Sequence, residues 1–224
     1  MSMWTLVIAL VCALIVWAVL VRYLMAQPWL PAGDPGNLAD ITAVDEPAKK
    51  VGLYFFLCAI SSLFALFITA YVMRMDPNHG ADWFSIPKPG ILWINTLLLV
   101  YSSISMQHAK TVSTLNGQKN LKRALMTGGV FAILFIAGQL WAWEVLHGSV
   151  YFHLSNPALG FFYLMTGIHA VHLIGGLYVW ARVTAKVFNN AQPETVNLSI
   201  ELCTTYWHYL LLVWLVLFGL LLLT

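Results

Sequence analysis

Two ionisable residues, Glu201 and His208, interrupt the apolar run that closes the chain, ELCTTYWHYLLLVWLVLFGLLLLT over residues 201–224. A carboxylate and an imidazole are ordinary tools of proton transfer, and an imidazole is also a metal or haem ligand. At 100° per residue, helix positions seven apart return to nearly the same face, so the two groups address one neighbouring element together. Upstream, TGIHAVHLIGG places His169 and His172 three apart on one helix face, with Thr166 and the small residues Gly167, Gly175 and Gly176 allowing close helix approach. The stretch LWINTLLLVYSSISMQHAK adds Asn95, Thr96, Ser102, Ser103 and Ser105, and GQLWAWEVLHG adds Gln139 and Glu144.

Each group has a structural and a chemical reading. Glu201, about one turn inside its helix end, suits an interfacial acid paired with a base. His208 lies about 15 Å in, near a bilayer midplane, and needs a hydrogen-bond partner from an adjacent helix. His169 reaches a similar depth from the other side, so one haem bridging His169 and His208 is the sharp alternative to hydrogen bonding in a helical core. The polar residues of the 92–110 stretch suit bonds between helices or back to their own carbonyls. Cys12, Cys58 and Cys203 form no CxxC or CxxxC pair and read as packing residues. There is no thiolate pair or Cys/His cluster for copper and no glycine-rich phosphate loop, and three deep histidines are too few for two haems plus a copper.

The elements that must position these groups follow from composition. Of 224 residues, 60% are apolar and 9% charged, with a mean hydropathy of +0.79, whereas soluble domains carry about 25% charged residues. About 20 helical residues cross a hydrocarbon core. Six stretches qualify, at 2–25, 51–73, 89–108, 124–146, 156–183 and 198–223. The expected fold is all-α, a polytopic bundle of six transmembrane helices. The first stretch has no basic n-region and too long an apolar run for a signal peptide, so it reads as a retained helix.

With both termini on the outer, periplasmic side, the inner segments hold nine of the Lys and Arg residues (Arg22, Lys49, Lys50, Lys110, Lys119, Lys122, Arg123, Arg182, Lys186), against Arg74 and Lys88 outside. QPWLPAGDPGNLADITAVDEPAKK reads as an inner loop, and RMDPNHGADWFSIPKPG as an outer loop whose Trp83 and Phe84 suit an interfacial aromatic belt. Neither loop can hold a catalytic domain, and a net charge of +2 gives no sign of a nucleic-acid partner.

In order, these residues resemble subunit III of the haem-copper cytochrome c and quinol oxidases. Glu201, Tyr206, Trp207, His208 and Trp214 look like the family's last-helix signature ExxxxYWHxxxxxW. TGIHAVHLIGG is similar to its TGxHxxHxxxG helix, and Asn95, Thr96, Ser102 and Ala109 to its LNTxxLLxS…A helix; Gly138, Gln139 and the VGLYFFL segment complete the series. The resemblance covers about residues 50–224. It implies a five-helix core at 51–224, preceded by a helix and inner loop at 1–50. In that family the histidines and the acid fasten helices together and bind no haem.

The resemblance implies a non-catalytic subunit of a respiratory oxidase that reduces oxygen and translocates protons in a bacterial inner membrane. The chain would carry no cofactor of its own, the haems and copper residing in partner subunits. It would lie against subunit I, with subunit II in the same complex, and hold phospholipid. Candidate structural or lipid-contact residues are then Glu201, His208, Trp207, Tyr206, His169, His172, Asn95 and Trp214. Two positions depart from the family pattern: Ile60 and Leu211 stand where it has acids, so no role in proton supply is carried over. A quinol oxidase subunit III and a nitric oxide reductase accessory protein are variants of this reading. A haem b electron-transfer subunit and a small transporter are the alternatives from other classes.

Overall fold

The computed structural model describes residues 38–75, 83, 90–113, 118–147, 157–189 and 193–223, with side chains from residue 48 on and, in the last segment, over 196–222. Among the described residues there are five α-helices: α1, Leu38–Arg74; α2, Ile91–Ser113; α3, Gln118–His147; α4, Pro157–Phe188; and α5, Pro193–Leu223. The fold is all-helical. Four segments, Ala48–Arg74, Gln118–His147, Pro157–Phe188 and Val196–Leu222, are long and apolar enough to cross a membrane. The expected helix at 2–25 lies outside the described residues.

Five of the expected stretches thus coincide with helices, each longer than its apolar segment. The inner loop read over residues 27–50 is shorter than expected, because α1 begins at Leu38 and runs through Pro47. A proline inside a helix removes one backbone donor and strains one turn, and here the helix continues on both sides of it. Pro157 and Pro193 open α4 and α5. The first helical position is where a missing N–H costs nothing and a fixed φ suits the helix.

The chain divides into two compact units, Met1–Cys58 and Ala59–Thr224. In the first, the described part of α1 exposes Tyr54, Phe55 and Phe56. In the second, α2 packs on α3, α3 on α4, α4 on α5, and α5 returns to α2. Contact order shows that neighbours run antiparallel: Ser102 and Asn95 of α2 meet Gly128 and Gln139 of α3, and Trp180 and Thr166 of α4 meet Leu125 and Trp143 of α3. Such short up-and-down connections are the ordinary topology of a helical bundle. From Ala59 onward α1 lies along α4 in the opposite sense, Phe64 against His172 and Tyr71 edge-on to Phe161. Tyr71 is fully buried and also meets Trp83, the ring expected at the interface, edge-on at 5.0 Å.

Bare backbone permits the closest approaches. A Cβ at Gly129 would run into the indole of Trp180, whose N–H donates to the Leu125 carbonyl at 3.0 Å. A Cβ at Gly176 would lie 2.9 Å from the Tyr206 ring and 3.3 Å from that of Trp207. Without a hydrophobic drive between helices in lipid, close packing and interhelical hydrogen bonds hold such bundles together.

α2 is the helix that does not qualify as a span by apolarity. Its 23 residues measure about 35 Å, enough to cross a core of about 30 Å, but they include Asn95, Thr96, Ser102, Ser103, Ser105, Gln107 and His108. Asn95, Thr96, Ser102 and Ser103 are buried. Of these polar groups, Asn95, Thr96, Ser102, Ser103 and Gln107 are ones its neighbours use.

Candidate functional site

Six polar contacts form the seam that joins α2 to α5, and they run in antiparallel order. Lys110 Nζ meets Glu201 Oε1 at 3.3 Å. Thr204 Oγ1 donates to the Met106 carbonyl at 3.2 Å. Trp207 Nε1 donates to Ser102 Oγ at 2.7 Å, and Trp214 Nε1 donates to Thr96 Oγ1 at 3.0 Å. His208 contacts Ser103 through Nδ1 at 2.5 Å and Gln107 Oε1 through Nε2 at 3.0 Å. Glu201 and His208 therefore address one neighbour together, as their spacing of seven requires, and that neighbour is α2.

Two α2 hydroxyls pass the bonding on. Ser102 Oγ, accepting from Trp207, donates to the Gly128 carbonyl of α3 at 2.7 Å. Thr96 Oγ1, accepting from Trp214, donates to the Leu92 carbonyl of its own helix at 2.8 Å. A hydroxyl can do both at once, and this keeps two buried indole N–H groups satisfied where no solvent reaches them. Asn95 Nδ2 reaches Gln139 Oε1 at 3.4 Å, a long bond, and the Asn95 Oδ1 lies where a Cβ at Gly138 would stand.

His169 and His172 share a helix but no partner. The His172 ring contacts its own helix through Nδ1 at the Ile168 carbonyl, 2.8 Å away, and its backbone carbonyl accepts from Tyr206 Oη at 2.9 Å. His169 is buried, with Phe135 edge-on at 6.0 Å between centroids and Trp214 tilted over it at 5.5 Å. Neither ring nitrogen of His169 has a hydrogen-bond partner among the described residues.

The shared-haem geometry does not form. His169 lies level with Trp214, six residues beyond His208 along α5, or about 9 Å at 1.5 Å per residue. Residue counts from helix ends put the two histidines at similar depth; the pairing of α4 with α5, set by Gly176 against Tyr206 and Trp207, does not. The rings also point to different neighbours, His208 to α2 and His169 to α3 and the Trp214 face of α5. Among the described residues no three His, Cys, Asp or Glu side chains come together as a metal site would need.

All eight candidate residues are thus placed. Trp207, Trp214, His208 and Glu201 join α5 to α2, Tyr206 joins α5 to α4, Asn95 joins α2 to α3, His169 is enclosed by apolar rings, and His172 turns back on its own helix. Sequence reasoning had not singled out Lys110, Gln107, Gly128, Gly129 or Trp180. The Gly128–Gly129 pair was available as a small-residue signal, whereas nothing in the spacing of Trp180 marks it as a donor to α3.

A family model described as cytochrome c oxidase subunit III matches residues 3–223. The chain belongs to the cytochrome c oxidase subunit III family. It is 29% identical over 184 residues to the cytochrome c oxidase subunit 3 of Synechocystis sp., covering 76% of this chain and 73% of that protein. It is likewise 29% identical over 206 residues to the probable cytochrome c oxidase subunit 3 of Nocardia farcinica, covering 84% and 95%, and 25% identical to that of Thermostichus vulcanus. Within this subunit III family fold, the intramembrane polar residues that drew attention as candidate chemistry are largely engaged with one another.

Proposed function

We propose that this chain is the subunit III of a respiratory haem-copper oxidase of the cytochrome c type, acting as a non-catalytic scaffold. In this reading it lies against subunit I, alongside subunit II, in a bacterial inner membrane. It helps hold the oxygen-reducing, proton-translocating complex together and retains phospholipid. Six spans with both termini outside, an N-terminal part through residue 50 and a core from 51 to 224 complete the proposal. The haems and copper belong to the partner subunits.

The supporting observation is the α2–α5 seam. Glu201, His208, Trp207 and Trp214 each spend their polar atoms on α2. Residues held by one another in this way act as interhelical fasteners, which suits a scaffold better than a catalyst.

The test is purification through a tag on this chain in mild detergent, with an optical spectrum and mass spectrometry. Co-purification of a large subunit bearing haem and copper, with no haem on this chain after dissociation, is the expected result. Haem retained by the isolated chain, or its isolation without such a partner, overturns the reading.

A further inference from the structure

One part of the α2–α5 seam is unfinished. Gln107 Oε1 is a carbonyl oxygen and can only accept, so the His208 Nε2 against it carries the proton. In a neutral imidazole Nδ1 is then the acceptor, and Ser103 Oγ–H donates to it. The bonds therefore run in one direction, Ser103 to His208 to Gln107. They end on Gln107 Nε2, an amide with two N–H groups and no partner among the described residues. Both His208 and Gln107 are exposed on the bundle surface.

Depth decides what can complete this chain. Ser102 is the middle residue of α2, and Gln107 lies five residues toward the Lys110 end, about 7 Å from the middle. With a hydrocarbon half-thickness of about 15 Å, roughly 8 Å of acyl chain separates the amide from the headgroup boundary. Lipid ester and phosphate oxygens lie at or beyond that boundary, and acyl chains offer no acceptor. Toward the middle of the two helices the surface beside the amide is apolar, with Ile104, one turn before Gln107, and Leu212, one turn after His208, both exposed; toward the other end lie Lys110 and the exposed His108 and Thr111.

We propose that the Gln107–His208 surface is a docking site for a transmembrane helix of another polypeptide, which presents a hydrogen-bond acceptor (a carboxylate, amide or hydroxyl oxygen) to Gln107 Nε2. The inference rests on reading the chain as a subunit of a membrane complex, and identifies the face that meets its partner. Lys110 and Glu201, one turn and two turns away on the same two helices, flank the site with an ion pair only partly buried, at 39% and 36% side-chain exposure.

The test uses the whole complex in native membranes. A photo-crosslinking residue is placed at position 107 and, as a control on a different helix, at Val171, which is 67% exposed. We expect a polypeptide adduct from position 107 and lipid adducts from position 171. In parallel, Gln107→Leu should weaken retention of this chain in the complex about threefold to tenfold, the range measured for interhelical hydrogen bonds in membranes. The melting temperature of the isolated Gln107→Leu chain controls for loss of the His208 contact. Adducts from position 107 to lipid alone or to this chain's own N-terminal segment, or unchanged or tighter retention of Gln107→Leu, overturn the proposal while leaving the scaffold reading intact. If the tagged wild-type chain brings down no haem-copper partner, the scaffold reading fails first and this inference fails with it.

Discussion

Trp207 and Trp214, seven residues apart on α5, both donate their indole N–H groups to hydroxyls of α2, at Ser102 and Thr96. Both indoles are fully buried. A buried donor without its acceptor costs about 1–3 kcal/mol, so the heptad spacing places two such obligations on one seam.

Removing either side of the Trp207–Ser102 bond should therefore reveal coupling. Ser102→Ala strands the Trp207 N–H and also loses the bond to the Gly128 carbonyl, and is expected to cost about 1–2 kcal/mol in detergent unfolding. Trp207→Phe should cost more, since it also leaves a void. The double variant should be less destabilised than the sum of the two; strict additivity would mean that the bond carries no weight.

Adjacent glycines give a sharper contrast. Gly175 has open space where a Cβ would stand, and Gly176 has the rings of Tyr206 and Trp207. Gly175→Ala should be neutral or slightly stabilising, because alanine favours a helix by up to about 1 kcal/mol. Gly176→Ala should lose about 1–3 kcal/mol by forcing α4 and α5 apart. Equal thermal stability of the two variants would contradict this packing.

His169→Phe is expected to leave stability unchanged or raise it by about 1 kcal/mol, because a phenyl ring keeps the contacts with Phe135 and Trp214 and removes two ring nitrogens that have no partner among the described residues. A clear fall in melting temperature would mean that those nitrogens bind something beyond these residues. A Soret band lost in this variant would revive the haem reading.

The Lys110–Glu201 contact should matter less than its sign suggests. Both side chains are more than a third exposed, and exposed pairs contribute about 0–1 kcal/mol. Glu201→Gln should lower thermal stability by no more than that, with the difference shrinking as salt is added. A larger loss, insensitive to salt, would show the carboxylate to be enclosed in the assembled complex.

His208→Ala should loosen the chain's association with its complex more than it slows initial oxidase turnover. It removes the link between Ser103 and Gln107. Abolished turnover in an intact complex would assign the chain a direct catalytic part.

Much of this was legible without coordinates. A chain with so few charges must form helices that satisfy their own backbone in lipid, and five of the expected stretches are helices. The spacing of Glu201 and His208 announced a common neighbour. It did not say which one, because helical periodicity orders residues around one axis and carries no information about the next. For the same reason depth counted from helix ends misplaced His169 relative to His208. Relative depth depends on how far α4 slides along α5, and Gly176 against Tyr206 and Trp207 decides that slide.

The amino-acid order by itself determined that this is an α-helical membrane protein, where its apolar segments fall, and, through motifs in series, the family it belongs to. These are properties of local composition, which lipid reads directly. Only the tertiary structure decided that α2, the helix that does not qualify as a span by apolarity, holds partners on two sides, that the bonds through His208 end at Gln107, and that Gly129 makes room for Trp180. Those outcomes depend on register between helices distant in sequence. In a bilayer, close packing and the pairing of buried polar groups between helices set that register.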